Sequence, residues 1–313
     1  METDFSQAFS KMQENEVSRR HSRGFHPVMG YLTRIIDRID ENDENGNDNT
    51  ITGLPTGFHQ LDSLTAGLQL GDLIILAGRP AMGKTAFASN IAEHVAMELN
   101  VPVGYFSIEM GATRLTRRML GAIGNLDLQR IRTGNLQEND WDRLSAASNK
   151  ITGAQLYINE TPKLDIVELR ASAGMLAEQC GQIGLIIVDY LQQIEPLAPE
   201  STHPLSLPEM ARELKSLAEE LNCPVLVVSR LERNVDQRLD KRPILSDLDE
   251  YGPIEQYADV VWFLYRDEIH HPGPSNKGMA ELIVAKQPDG PTGTVGLVFH
   301  KEFVKFDSVD SGG

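Results

Sequence analysis

An α/β fold, with a mostly parallel twisted sheet and helices on both faces, is the class this sequence predicts. Two observations carry that prediction. Short, nearly continuous apolar runs recur at residues 73–77, 103–107, 185–188, 225–228 and 260–265. Helical patterns lie between them, among them 85–99, 165–180 and 209–222. Runs that stay apolar at every position mark strands buried on both faces, the condition of a strand in a parallel sheet under crossover helices. From 279 to 307 the pattern changes to three strands with Gly-Pro turns, which reads as hairpins extending the sheet.

Taken in order, residues 1–26 are polar, carry clusters such as Arg19-Arg20 and show no apolar period, so a disordered arm is expected. Residues 27–49 form a second unit. Val28, Leu32, Ile35, Ile36 and Ile39 make a one-sided helical stripe with Pro27 near its start, and an Asn/Asp/Glu-rich linker follows. Such a stripe needs a surface to pack on. Residues 50–307 carry the alternating pattern, 308–313 form a tail, and no internal repeat is evident.

The chain has 313 residues and a net charge of −16. That charge provides no global attraction for nucleic acid, so any such binding requires a local basic lining. Cys180 and Cys223 are far apart and match no metal spacing, which predicts buried thiols in a reducing compartment. No apolar stretch approaches membrane-spanning length and the N-terminus is not a signal peptide, so a cytoplasmic protein with no membrane partner is expected.

Gly78-Arg79-Pro80-Ala81-Met82-Gly83-Lys84-Thr85 reads G-x-x-x-x-G-K-T between an apolar strand and a helical pattern. In that context Gly78 and Gly83 let the backbone curl so that its N–H groups face phosphate oxygens at a helix N-terminus. Lys84 then reaches the β- and γ-phosphates, and the Thr85 hydroxyl holds Mg²⁺. A bound nucleoside triphosphate, ATP with Mg²⁺, is the expectation. The run 185–188 ends on Asp189, where a P-loop protein places the acid that completes the metal shell. The run 103–107 leads to Glu109. Placed one strand from the loop, this carboxylate suits the base that polarises the attacking water, and it equally suits a surface acid at a strand end.

Together these residues resemble the DnaB-type replicative helicases, in their RecA-like C-terminal motor domain. The resemblance runs from about Pro27 to Phe306. It rests on the P-loop together with Ile51-Thr52-Gly53-Leu54-Pro55, Phe106-Ser107-Ile108-Glu109-Met110, Asp189-Tyr190-Leu191-Gln192, Asp240-Lys241-Arg242-Pro243, Tyr265-Arg266-Asp267-Glu268 and Lys286-Gln287 with Gly290-Pro291-Thr292-Gly293. It implies a hexameric ring of identical chains with ATP between subunits and single-stranded DNA in the centre. It makes Glu109 the catalytic base, Asp189 a metal ligand, and the stripe from Pro27 to Asp40 a linker helix that docks on the adjacent subunit.

The sequence also departs from that pattern. The family's N-terminal primase-contacting domain is expected to be missing, with residues 1–26 in its place. Where the family puts an arginine two residues after the late-strand lysine, this chain has Lys286-Gln287-Pro288, which leaves Lys286 as the cation acting on the neighbour's γ-phosphate. Asp249 stands where an arginine meets DNA, and the loop from Glu195 to Met210 has four prolines and neither lysine nor arginine. The usual Ser-Gln pair is Ser229-Arg230, making Arg230 a candidate γ-phosphate contact in cis. The first reading is an ATP-dependent helicase or translocase on single-stranded DNA in replication. The alternative is a weakened paralogue that binds ATP and regulates a resident replicative helicase, or sequesters its loader, by co-assembly. A different RecA-type ATPase ranks third. His270-His271 are expected in a solvated turn, and Trp141 and Trp262 as packing residues.

Overall fold

The computed structural model describes residues 25, 27–33, 36, 51–196, 204–248, 252–274 and 276–309. In chain order its elements are α1 (His59–Thr65), β1 (Leu73–Gly78), α2 (Lys84–Glu93), β2 (Val103–Ser107), α3 (Ala112–Gly124), α4 (Leu128–Thr133) and α5 (Glu138–Gly153). There follow β3 (Leu156–Asn159), α6 (Ile166–Cys180), β4 (Leu185–Asp189), α7 (Leu207–Leu221), β5 (Val225–Arg230), β6 (Val260–Tyr265), β7 (Met279–Lys286), β8 (Gly293–His300) and β9 (Lys305–Ser308). The nine strands form one sheet in the order β3-β2-β4-β5-β1-β6-β7-β8-β9. The first six in that order run parallel, and β7, β8 and β9 add on antiparallel.

Side-chain alternation along β1 divides the core in two. Ile74 and Leu76 face a cluster containing Phe87, Ala88 and Ile91 of α2 and Leu115 and Met119 of α3. Leu73, Ile75 and Ala77 face the other side, with Leu169 of α6 and Met210, Leu214 and Leu217 of α7. Every residue of β1 is buried, as the uninterrupted apolar run requires.

Helix starts follow their capping chemistry. Asp165 accepts from the N–H groups of Val167 and Glu168 to start α6, and Ser206 with Glu209 forms a reciprocal capping box at α7. The α7 helix therefore begins at Leu207, which shortens the loop expected to run from 195 to 210; residues 197–203 of it lie outside the described residues. The helix expected over 85–99 is α-helical only to Glu93. His94–Glu98 continue as a π-turn, with Leu99 N–H donating to the His94 carbonyl at 3.3 Å. Strand β3 is not among the expected strands: its apolar run is only three residues, Leu156-Tyr157-Ile158, and it lies half-buried at the sheet edge beside β2. Strand β9 extends through Ser308, one residue beyond the boundary expected at 307.

Three expectations are corrected. Trp141 does not pack: it sits in the first turn of α5 with 59% of its surface exposed, whereas Trp262 in β6 is buried. His270 is not solvated, since its ring stacks on Tyr265 at 5.9 Å between centroids; only His271 is exposed, at 3.0 Å from Asp267. Cys223 is buried, but Cys180 is only half-buried at the end of α6. The expected linker helix is described only in part. Residues 29–33 are helical, and Val28, Met29, Leu32 and Ile36 are exposed; Ile35, Ile39 and the acidic linker lie outside the described residues. Among the described residues no helix is long and apolar enough to cross a membrane.

Candidate active site

The C-terminal ends of β1, β4, β5 and β2 meet at one edge of the sheet, where open α/β sheets hold their ligands. Strand register brings the pieces together. Gly78 at the end of β1 is opposite Arg230 at the end of β5, and Asp189 of β4 is opposite Ser107 of β2 and Val228 of β5. Beyond β1 the chain turns through 79–83 into α2. Gly83 takes φ +99, and a Cβ there would lie 2.9 Å from the Phe306 ring, so both the turn and the packing require glycine. A Cβ on Gly78 would lie 2.7 Å from the Leu264 carbonyl oxygen of the neighbouring strand.

These elements enclose a cleft of about 760 Å³ lined by Gly83, Lys84, Thr85, Glu109, Asp189 and Arg230, among others. The Lys84 ammonium donates to the carbonyls of Gly78 at 2.7 Å and Arg79 at 3.0 Å, which holds it over the loop. Burial pushes that ammonium down to about 8, opposed by the Asp189 carboxylate. Burial also raises the Asp189 carboxyl above the usual carboxylate range, with the Thr85 hydroxyl opposing. The Tyr105 hydroxyl donates to Asp189 Oδ2 at 3.3 Å, while Oδ1 is buried with no partner. An orphaned carboxylate oxygen beside a hydroxyl is the oxygen-only, partial coordination that suits Mg²⁺, an ion that keeps phosphate and water oxygens in its remaining positions. Among the described residues no group of three or more His, Cys, Asp or Glu is arranged to hold a metal by itself.

Glu109 reaches the cleft by a different route from the one expected. Its strand β2 is separated from β1 by β4 and β5, not adjacent to it. The carboxylate arrives because residues 108 and 109 continue past the strand and bend over β4, where their N–H groups meet the Asp189 carbonyl at 3.0 and 3.4 Å. There Glu109 Oε1 accepts from Arg230 Nη2 at 2.5 Å. The Arg230 guanidinium lies 4.0 Å over the Tyr190 ring, and Gln192 holds its backbone, accepting from the N–H at 3.1 Å and donating to the carbonyl at 3.3 Å.

Sequence reasoning missed Arg114 and Arg118, one turn apart on α3, which also line the cleft. Burial and the neighbouring Arg114 guanidinium push Arg118 below its ordinary range, so the pair favours a nearby anion. Their signal is present: each arginine precedes a buried apolar residue, Leu115 and Met119, and so borders the helix's inward face. With Lys84, Arg230, Arg266 and Lys301, they give the cleft six cationic against three acidic side chains in a strongly acidic chain. Arg266 is committed elsewhere, being paired with Glu268 and stacked 4.0 Å over Phe299.

Lys286 is not in this cleft. Its ammonium donates to the carbonyls of Glu255 and Ala258, each at 2.7 Å. Asp247, at the head of the segment containing Asp249, is a structural acid that takes Arg238 at 2.6 and 2.8 Å; residues 249–251 lie outside the described residues.

A phosphate loop, an acid with one orphaned oxygen and a carboxylate–guanidinium pair meet at one cleft. The DnaB-like helicase C terminal domain matches residues 53–308. The chain belongs to that family. It is 45% identical over 293 residues to the replicative DNA helicase DnaC of Bacillus subtilis, covering 93% of this chain and 64% of the relative. It is 45% identical over 297 residues to the replicative DNA helicase DnaB of Geobacillus stearothermophilus, covering 94% and 65%. It thus spans just under two-thirds of the length of these curated relatives. Among solved structures, one described as an ATPase domain superposes with TM-score 0.84 at 32% identity, covering 92% of this chain and all of that one. A DnaB-like replicative helicase, described with its primase interactions, superposes with TM-score 0.81 at 32% identity over 97% of this chain and 71% of that one. The RecA-like fold expected from the DnaB resemblance is the fold observed.

Proposed function

We propose that this chain is the ATP-hydrolysing motor of a DnaB-like replicative helicase, moving on single-stranded DNA as a ring of identical subunits. The observation that carries the proposal is the convergence of Lys84, Thr85, Asp189, Glu109 and Arg230 on one cleft from four strand ends. Gly78, Gly83 and Lys84 cradle the phosphates. Thr85 and Asp189 would hold Mg²⁺, which when bound neutralises phosphate oxygens. Glu109 takes a proton from a water whose oxygen bonds to the γ-phosphorus. The bond from that phosphorus to the β-phosphate oxygen breaks, and its electron pair leaves with ADP. Arg230, Arg114 and Arg118 offset charge on the transferring group.

The reading as a weakened, co-assembling regulator rests on Pro288 and the acidic DNA-facing segments. Arg230 counts against it, because it brings a guanidinium into the same cleft as Lys84, Thr85 and Glu109. Lys286, as the cation acting in trans, would have to do so while anchored to Glu255 and Ala258. The exposed Val28, Met29, Leu32 and Ile36 supply the face by which a linker helix would dock on a neighbouring copy.

Steady-state ATP turnover of the purified protein, titrated with single-stranded DNA, tests the proposal. The expected result is Mg²⁺-dependent turnover that rises with DNA and is abolished in Lys84→Ala. Nucleotide binding with negligible turnover that ignores DNA would overturn the motor reading and favour the regulator.

A further inference from the structure

The pairing of Arg230 with Glu109 joins two groups that the proposed chemistry needs separately. Resting on the reading of the cleft as a triphosphate site, we infer that Arg230 is a latch on the catalytic base. It holds the Glu109 carboxylate until a γ-phosphate takes the guanidinium, and it returns when only diphosphate remains. Arg230 is then a positioning residue for Glu109 as well as a phosphate contact.

Three features make partner exchange feasible. The pair is half-exposed, with 40% of the Arg230 side chain and 43% of the Glu109 side chain accessible, and ion pairs in that setting hold weakly. The root of Arg230 is fixed, because it ends a central strand opposite Gly78 and Gln192 grips both its N–H and its carbonyl. Only the side chain needs to move. Tyr190 supplies a platform at 4.0 Å on which the flat guanidinium can slide while remaining stacked.

The stronger acceptor then decides the partner. A γ-phosphate carries more charge than one carboxylate and presents oxygens to a planar fork. It would sit beside Lys84, whose ammonium senses the charges of both Arg230 and Glu109. While Glu109 is paired, its Oε1 is committed to the guanidinium, and the carboxylate is held toward Arg230 rather than toward an attacking water. When the γ-phosphate takes Arg230, the carboxylate is free at the moment a substrate needs a base. The latch therefore ties base availability to the presence of the bond to be cleaved.

A double-mutant cycle on nucleotide preference tests the latch. The measured quantity is the ratio of affinities for a non-hydrolysable triphosphate analogue and for ADP, in the wild type, Glu109→Gln, Arg230→Gln and the double variant. Glu109→Gln frees Arg230 for the γ-phosphate, so it should raise triphosphate preference by about fivefold or more in the Arg230 background and by less than about twofold in Arg230→Gln. Simple repulsion between Glu109 and the phosphate predicts the opposite order, because removing Arg230 leaves the carboxylate unscreened. An equal or larger effect in the Arg230→Gln background overturns the latch. Crystal structures of the wild type with ADP and with the analogue supply the second arm: Arg230 should sit on Glu109 in the first and on the γ-phosphate in the second. The same partner in both overturns the inference. If the wild type binds neither nucleotide, the site reading itself fails. If it binds both and the preference does not respond, only the latch fails.

Discussion

The Tyr105 hydroxyl donates to one oxygen of Asp189 at 3.3 Å and leaves the other oxygen buried without a partner. The two residues lie on adjacent parallel strands, β2 and β4, so the sheet itself aims the acid. Among the buried carboxylates with one unpartnered oxygen, Asp189 is the one that lines the cleft beside Lys84 and Thr85.

Tyr105→Phe should therefore weaken metal use more than nucleotide binding. Removing the donor leaves a second buried carboxylate oxygen unpartnered, at a stability cost of about 1–3 kcal/mol. The Mg²⁺ concentration for half-maximal turnover should rise several-fold, while ADP affinity measured without metal stays within about twofold, since Tyr105 does not line the cleft. An unchanged Mg²⁺ requirement would remove Tyr105 from the metal's support.

Nucleotide affinity should fall as pH rises through 8. Burial holds the Lys84 ammonium at about 8, and only its charged form pairs with phosphate. Below that pH the cation is in place; above it, binding must first recover a proton, and affinity drops by at most tenfold per pH unit. Titration calorimetry from pH 6.5 to 9.5 reads this directly, and a flat profile would contradict it.

Asp72→Asn should stabilise the fold above neutrality. Burial, with Asp259 and Asp289 adding to it and Lys215 opposing, raises the Asp72 carboxyl to about 7 from an unfolded value near 3.8. Between those values the folded state binds the extra proton, so stability falls as pH rises from about 4 to about 7, and the whole penalty is present above that. The melting temperature of the variant should exceed that of the wild type by a few degrees at pH 8 and match it at pH 4. Equal values at both pH values would show that Asp72 is not penalised.

Pro288→Arg restores the guanidinium that the family pattern places two residues after Lys286. Such a group acting in trans typically contributes about 10³–10⁵ in turnover. With Arg230 already in the cleft, a smaller gain of about 10- to 100-fold is expected, provided the ring assembles. No gain in assembled protein would mean that the 286–288 segment does not reach a neighbour's site.

Much of the site is legible in the residues because it is local. The P-loop carries its own strand, glycines and helix start, so Gly78, Gly83, Lys84 and Thr85 lie together for reasons contained in eight positions. Asp189 is legible because the apolar run before it is long enough to mark a buried strand and its end. The short edge strand β3 escapes, since its alternation covers only Leu156 and Ile158, too few positions to stand out as a strand. Trp141 misleads because a large apolar residue is usually buried, and only the facing of α5 shows that this one is not.

Strand–helix alternation, the phosphate loop and the identity of each candidate acid can all be read from the residues alone, because backbone preference and binary pattern act over a few positions. Strand order cannot, because long-range pairing is chosen by the packing of whole faces. That order places Glu109 over β4 rather than beside β1, and turns Arg230 from a residue of unknown direction into the partner of the candidate base. It also ties Lys286 to two carbonyls about thirty positions earlier in the chain. Such relationships exist only once the sheet has formed, since each depends on a register between segments that share no local signal.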